Sequence, residues 1–494
     1  MQLRDYQINA INEIRLSFAK GYKRIILCSP TGSGKTVIFS EISKLTTAKN
    51  NKVLIITDRK ELLKQTNNKL NNFGLNPFLL TANEKNLQNS LCCVAMVETI
   101  KRRLEKQDYK DFIQNFNLII IDEAHKCSFD RIFESIDNKQ MVIGATATPY
   151  RNGKMKELKM YYDKIIDVTS VQNLINIGFL SSPISFGIPV DLSKIGIKGD
   201  DFDELDIEKM YSDSKLADGI VENYKKHCNN EKMLVFCATI KNSKLITDNL
   251  SLNGLNAKHF DCYMDTLERE NILSWFENTE NAVLCNVGIL TTGFDCPSIK
   301  VVALYRPTKS LPLFLQMVGR GSRILPDKNE FKILDFGNNI GRFGFWEDDR
   351  VWTLENDKKP KKKEKQVAPV KNCPKCDALL PASVMKCKFC GFEFKSKAKD
   401  KTRIEMILER LTPSQIQNYA ETCTVQELEE IRKAKGYKLG WICYKLKTLE
   451  EFKQYEKIRG FKNGWAEHNF KFISNPTPKE IISLKDTLAY NEIN

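Results

Sequence analysis

Arg24-Ile25-Ile26-Leu27-Cys28-Ser29-Pro30-Thr31-Gly32-Ser33-Gly34-Lys35-Thr36 decides the fold class of this chain. A β-branched run leads into a short glycine-rich turn, and a helical pattern follows. That strand–loop–helix order is the context a phosphate loop requires. The backbone N–H groups of Gly32, Ser33 and Gly34 are placed to cradle phosphate oxygens, and the following helix adds a favourable dipole. Both glycines permit backbone shapes that a Cβ would hinder. Lys35 is expected to reach the β- and γ-phosphates of ATP, and Thr36 to hold Mg²⁺. The leading glycine of the general pattern is Ser29 here.

Working outward, short apolar runs recur at βα spacing. Lys52–Thr57, Cys92–Val97, Asn117–Ile121 and Met141–Ala145 follow Arg24–Cys28, with helical patterns such as Glu61–Leu70 between them. A second series comprises Met233–Cys237, Ala257–Asp261, Asn281–Asn286, Lys300–Tyr305 and Phe331–Phe336. Strands alternating with helices predict parallel sheets covered on both faces. The chain reads as α/β, with two tandem P-loop-type domains near 1–170 and 180–352. A Lys- and Pro-rich linker at 355–371, a cysteine module at 372–395 and a mainly helical tail at 401–494 follow. In the tail, Ser414 is expected to cap one helix and Thr424, with Glu427, another.

The first domain carries Leu118-Ile119-Ile120-Ile121-Asp122-Glu123-Ala124-His125, a buried strand that ends in two carboxylates. Asp122 suits a hydrated Mg²⁺, and Glu123 suits orienting and deprotonating the attacking water. With the phosphate loop, this run resembles the superfamily 2 helicases and translocases. The resemblance implies two RecA-like domains with ATP between them. Gly144-Ala145-Thr146-Ala147-Thr148-Pro149 is similar to their motif III. Leu3-Arg4-Asp5-Tyr6-Gln7 resembles the adenine-recognition motif, where the amide of Gln7 can donate and accept at once. Asp58-Arg59-Lys60-Glu61-Leu62-Leu63 resembles motif Ia, and Val94–Thr99 sits where motif Ib is expected. The resemblance puts Arg59 and Thr99 on the nucleic-acid side.

In the second domain, Leu234–Thr239 resembles motif IV and Thr291-Thr292-Gly293-Phe294-Asp295-Cys296-Pro297 resembles motif V, although relatives often carry Glu at the position of Thr292. Thr239 and Thr291 are thereby candidates for contact with the strand, and Gly293 and Asp295 for the nucleotide. Gln316-Met317-Val318-Gly319-Arg320-Gly321-Ser322-Arg323 matches motif VI. A guanidinium is permanently charged and donates in a fork, so Arg320 and Arg323 suit charge developing at the γ-phosphate. Gln316 is a further candidate at the nucleotide. The two arginines lie three apart and share a face if this segment is helical. Arg306–Ser310 and Ile333–Asn338 look like the RadD-like group of bacterial and phage DNA helicases.

Cys373-Pro374-Lys375-Cys376 and Cys387-Lys388-Phe389-Cys390 form a C-x2-C-x10-C-x2-C pattern. Two close pairs can supply four thiolates to a tetrahedral Zn²⁺ in a small ribbon, and four thiolates leave no open catalytic position. A redox pair is the alternative, for which one pair would suffice. Cys28, Cys237 and Cys285 read as small core residues, and Cys92 and Cys93 as pointing to opposite faces of one strand. The tail repeats an element. Lys435-Gly436-Tyr437-Lys438-Leu439-Gly440-Trp441 recurs as Arg459-Gly460-Phe461-Lys462-Asn463-Gly464-Trp465. Trp441 and Trp465 either stack on bases, with lysines meeting phosphate, or pack the cores of their own helical units.

Composition bounds the rest. Of the 494 residues, 42% are hydrophobic and 28% charged, which excludes a disordered tail protein and leaves material for sizeable cores. No apolar run approaches the roughly 20 residues of a membrane span, and the charged N-terminus does not read as a secretory signal. The expected location is the cytoplasm, where 15 cysteines are thiols or metal ligands. The net charge is +14, and Glu355–Lys401 carries 14 lysines against 6 acids, a local excess of +8. A polyanion partner fits that balance.

The expectation is an ATP-dependent DNA helicase or translocase acting on single-stranded or branched DNA in repair, recombination or replication. It would use ATP, Mg²⁺ and Zn²⁺, have no membrane partner, and have a single-stranded-DNA-binding protein as a candidate partner. The alternatives are a double-strand translocase, a restriction-system motor, an RNA helicase or a non-enzymatic nucleic-acid-binding protein.

Overall fold

The computed structural model describes residues 3–84, 86–151, 157–188, 190–212, 214–355, 369–394 and 413–474. Residues 356–368 of the expected linker, and 401–412 and 475–494 of the expected tail, lie outside the described residues. The chain divides into two units, 1–394 and 395–494.

The first unit contains two parallel sheets. In chain order the first is built from β1 (Arg24–Cys28), β2 (Val53–Thr57), β3 (Phe78–Leu80), β4 (Cys92–Met96), β5 (Leu118–Asp122), β6 (Met141–Thr146) and β7 (Lys164–Asp167). Their spatial order is β3-β4-β2-β5-β6-β1-β7. Ile26, Leu54 and Ile119 face one core; Ile25, Ile55 and Ile120 face the other. This two-sided burial explains why the strands read as continuous apolar runs. Cys92 and Cys93 join opposite cores, as the strand period requires.

After β8 (Ser182–Gly187), a two-stranded antiparallel pair, β9 (Ile197–Lys198) and β10 (Asp201–Phe202), precedes the remaining strands of the second sheet. These are β11 (Met233–Cys237), β12 (Ala257–Phe260), β13 (Val283–Asn286), β14 (Val301–Tyr305) and β15 (Glu330–Asp335). The order is β12-β13-β11-β14-β15-β8. Cys28, Cys237 and Cys285 are buried in these cores. β3, β7 and β8 escaped the sequence pattern. They are edge strands, and β8 includes Pro183, which an edge tolerates because one row of donors is unused.

Beyond β15 the chain turns back as a strap. Trp346 is buried in the second core, and its Nε1 donates to Leu315 O at 3.2 Å. Arg350 ties the strap by donating to the carbonyls of Phe343, Phe345, Trp346 and Asp348. Trp352 packs on cores of both sheets, and Lys159 N bonds Leu354 O at 3.0 Å. The cysteine module follows on the hairpin β16 (Val370–Asn372) and β17 (Leu379–Pro381). It is not a free bead. Leu379 enters the second core, Asn372 Nδ2 donates to Gly187 O at 3.2 Å, and Lys226 pairs with Asp377.

The described part of the second unit is helical: Pro413–Ala420, Val425–Lys435, Leu439–Cys443, Leu449–Arg459 and Trp465–Ser474. Thr424 with Glu427, and Thr448 with Glu451, form capping boxes. Gly436 and Gly460 end their helices in the left-handed region. The expected cap at Ser414 is corrected: Ser414 lies within the helix Pro413–Ala420. Buried Glu429 joins the two repeats, accepting from Arg432, from Tyr455 Oη at 2.7 Å and from Arg459 at 3.2 Å.

Candidate active site

The phosphate loop leaves β1 and enters the helix Lys35–Thr47 through Gly34, whose φ is +85°. Gly32 has φ +94°, and a Cβ there would lie 2.2 Å from Arg323 Nη1. A Cβ on Gly34 would lie 2.6 Å from Gln7 Nε2. Both glycines therefore serve the backbone conformation and close approach together. Ser33 Oγ donates to Pro30 O at 2.6 Å and shares a 2.5 Å hydrogen bond with Ser29 Oγ. Ser29 thus braces the loop where the general pattern has a glycine. Lys35 Nζ donates to Ser29 O at 3.3 Å, and Thr36 stands beside it at the cleft.

Gln7 is buried. Its Oε1 accepts from Arg4 N at 3.0 Å, and its Nε2 donates to Ser33 O at 3.2 Å. The amide is thereby oriented by its own helix and by the phosphate loop. Tyr6 Oη donates to the same Ser33 carbonyl at 2.7 Å.

Asp122 and Glu123 are buried at the end of β5, with Glu123 at φ +55°. Burial, reinforced by the charge of Glu123, raises the carboxyl of Asp122. Burial also pushes Glu123 upward, but Lys35, His125, Lys126 and Arg320 together hold it below its ordinary value. The two adjacent acids are thus driven apart by their surroundings. Burial lowers His125 to about 4, which leaves it neutral near pH 7. Its Nδ1 meets Thr146 Oγ1 at 2.8 Å, joining the carboxylate loop to β6.

The sequence reading missed two supports of this loop. Arg151 is buried; it donates to His125 O at 2.7 Å and Lys126 O at 3.1 Å and grips Asp130 with both terminal nitrogens. Lys126 pairs with Asp58. Their signal was positional only, since Arg151 follows the Ala147–Pro149 run and Lys126 follows His125.

The second sheet supplies the opposite wall. Gln316 Nε2 donates to Glu123 Oε2 at 3.4 Å. Arg320 Nη1 donates to Phe294 O, and Arg323 Nε donates to Asp295 Oδ1 at 2.7 Å. Arg320 Nε and Arg323 Nη1 are buried without a hydrogen-bond acceptor. Burial lowers Arg320 to about 10, so it stays cationic at neutral pH. Lys35, Thr36, Asp122, Glu123, Asp295 and both arginines line one cleft, together with Gly32, Gly34 and Gly293. Such a cleft can hold a polyphosphate between a lysine on one wall and two guanidiniums on the other.

One expectation is corrected. Arg320 and Arg323 do not share a helix face, because the helix Leu311–Val318 stops before them. Gly319 packs on Thr31, where a Cβ would come within 2.9 Å, and a Cβ on Gly321 would lie 2.4 Å from Phe331. Tight turns, Arg320 N to Met317 O and Gly321 N to Val318 O, carry the chain around these contacts.

The candidate strand-contact residues are scattered. Arg59 Nη1 donates to Ile289 O at 2.8 Å, so it spans from the first sheet's domain to the second's. Thr99 is buried in the helix Val97–Arg103. Thr239 caps the helix Ile240–Leu252, and Thr291 Oγ1 donates to Gly288 O at 2.7 Å. In the second unit, Trp441 packs against Tyr437 at 4.8 Å and Trp465 against Phe461 at 4.6 Å; both are partly buried on that unit's core. The four sulfurs of Cys373, Cys376, Cys387 and Cys390 all lie within 4.8 Å of one another. This donor set fits one tetrahedral Zn²⁺. Among the described residues no helix is long and apolar enough to cross a membrane.

This fold and cleft define a RecA-like ATPase. Residues 1–151 match the family described as type III restriction enzyme, res subunit, and residues 215–325 match the helicase conserved C-terminal domain. Residues 371–396 match an uncharacterised protein family. The chain is 32% identical to a 51.5 kDa protein of a Lactococcus phage over 395 residues, covering 78% of this chain and 82% of that one. It is 34% identical to the Saccharomyces cerevisiae putative ATP-dependent helicase Irc3 over 68% of this chain, but spans about half (51%) of that relative. A fragment of a putative HsdR subunit of a type I restriction enzyme from Vibrio vulnificus shares the fold at TM-score 0.56 and 25% identity, over 69% of this chain and 65% of that one. The chain belongs to the superfamily 2 helicases and is a helicase-like ATPase.

Proposed function

We propose that this ATPase moves along DNA, coupling ATP hydrolysis to closure of the cleft between its two parallel-sheet domains. The observation that carries the reading is the seating of Arg323 Nη1 over Gly32 of the phosphate loop, with donors of both arginines left without acceptors. Unfilled guanidinium donors beside a phosphate cradle suit the oxygens of a bound nucleotide. Gln7 would read the adenine, and the loop amides of Gly32, Ser33 and Gly34 with Lys35 would hold the phosphates. Thr36 and Asp122 would carry Mg²⁺, which neutralises charge on the phosphates when bound. Glu123 would take a proton from the attacking water. Arg320 and Arg323 would stabilise the transferring group, while Gly293, Asp295 and Gln316 shape that wall. Because the arginines come from the second domain, turnover would depend on closure.

DNA would cross the side marked by Arg59, Thr99, Thr239 and Thr291. The four cysteines would hold a structural zinc that braces the second domain. Single-stranded or branched DNA is the preferred substrate class, and a place in repair, recombination or replication follows from such substrates. Movement on duplex DNA without strand separation is the second reading, favoured by the likeness to the HsdR fragment. ATPase and unwinding assays on single-stranded, forked and blunt DNA and on RNA test both. Stimulation and unwinding on forks support the first reading. Stimulation by blunt duplex without unwinding supports the second, and RNA-only stimulation overturns both.

A further inference from the structure

Lys328 is 2% exposed, far below what its side chain normally tolerates. Its Nζ donates to three main-chain carbonyls: Pro297 O at 2.8 Å, Gly321 O at 2.8 Å and Arg323 O at 2.7 Å. An ammonium has three donors and no acceptor, so this set is complete. The position is built by a tight return. Leu325 and Lys328 pair across a short hairpin, which carries the lysine back beneath the loop it supports.

We propose that Lys328 is a positioning residue for Arg323, its ammonium pinning the arginine loop at Gly321 and Arg323 to the segment that ends at Pro297. The inference rests on the roles proposed above for the two arginines. Each half of the pinned pair carries part of the same cleft wall. Arg320 reaches Phe294 O and Arg323 reaches Asp295, both just upstream of Pro297. The helix ends at Val318 and single turns carry the chain only as far as Gly321, so no helical hydrogen-bond ladder reaches Arg323. Lys328 provides the missing anchorage from below. Ser181 assists from the other side: its Oγ donates to Arg323 O at 2.9 Å and its N donates to Ser322 O at 2.8 Å. Burial pushes the Lys328 ammonium down to about 7, while the three carbonyls, which only accept, favour its charged form.

The test uses the full chain with Lys328→Met, Arg323→Ala and the double variant. DNA-stimulated kcat, ATP KM, affinity for a non-hydrolysable ATP analogue and melting temperature are measured. Lys328→Met should lose roughly 10²-fold in stimulated kcat, the scale of a misplaced catalytic group. Analogue affinity should stay at the wild-type level, because Lys35 and the phosphate loop are untouched. In the Arg323→Ala background the lysine substitution should add little, since its effect runs largely through that guanidinium. Wild-type kcat in Lys328→Met, or losses that multiply in the double variant, would overturn the inference. Wild-type turnover in Arg323→Ala would instead overturn the arginine reading itself, and the inference with it. If Lys328→Met fails to fold, Ser181→Ala replaces it. It removes one clamp on the same carbonyl while keeping the ammonium, and should give a smaller kcat loss that vanishes beside Arg323→Ala; an unchanged kcat overturns the proposal.

Discussion

Replacing Glu429 with glutamine should loosen the tail by separating its two repeats. Glu429 sits in the first repeat at 1% side-chain exposure, while Tyr455 and Arg459 reach it from the second. Hydrogen bonds from Arg432, helped by Tyr455 and the charge of Arg459, lower its carboxyl from 4.5 to about 2 against the opposing effect of burial. At about 1.4 kcal/mol per tenfold, that shift corresponds to about 3 kcal/mol. Lys433 and Arg459 are 61% and 33% exposed, so solvent screening reduces it to about 2 kcal/mol. Glutamine imitates the protonated acid. Hydrogen exchange on the full chain at pH 7 should therefore show the amides of Val425–Lys435 and Leu449–Arg459 opening about 30-fold more often in Glu429→Gln. The sign in pH follows from the direction of the shift. A lowered folded value means the contribution is complete above 4.5 and is lost as pH falls through about 2. The variant should lack that acid limb. Unchanged exchange rates, or an acid limb retained by the variant, would refute the reasoning.

Lys35→Ala should weaken nucleotide binding, whereas Glu123→Gln should keep it and slow hydrolysis by roughly 10²–10⁴; separate affinity and turnover measurements check the split. Metal analysis should find about one zinc per chain. Cys373→Ser with Cys376→Ser should release it and raise exchange across 369–394, while basal ATPase persists on the two sheets' own cores. Trp465→Ala should cost about 3 kcal/mol of tail stability and admit protease without DNA present, because its ring packs on Phe461, Tyr455 and Phe452. A protease-resistant tail with weakened DNA binding would instead favour base stacking.

The central strands of both sheets were legible to within a residue or two because parallel strands buried on both faces must be apolar throughout. The phosphate loop was legible for a similar reason: its chemistry lies in main-chain geometry that only a few residue orders permit. The capping box at Thr424 was legible because it is equally local, closing within three residues; the one at Thr448 obeys the same rule but was not read from the sequence. The pattern of four cysteines needed only spacing to suggest a metal site.

Contacts between residues far apart in the chain left no local trace. Nothing around Arg151 or Lys328 distinguishes a surface cation from one spent on three or four buried acceptors. The burial that decides the matter comes from His125 and Asp130, 26 and 21 residues before Arg151, and from Pro297, 31 residues before Lys328. Whether a helix runs through Arg320 was left open by the sequence; it stops at Val318, where Gly319 and Gly321 approach Thr31 and Phe331, which lie elsewhere in the chain. The repeated glycine-aromatic-tryptophan element was visible, but the packing of each tryptophan on neighbouring rings was not. The class of the fold and the main-chain geometry of the glycine-rich loop after β1 were thus readable from residue order, since both depend on short-range backbone rules. Which charged side chains are buried, and what they hold, emerged from three-dimensional packing, because segments distant in sequence, such as those carrying His125 and Pro297, close over them.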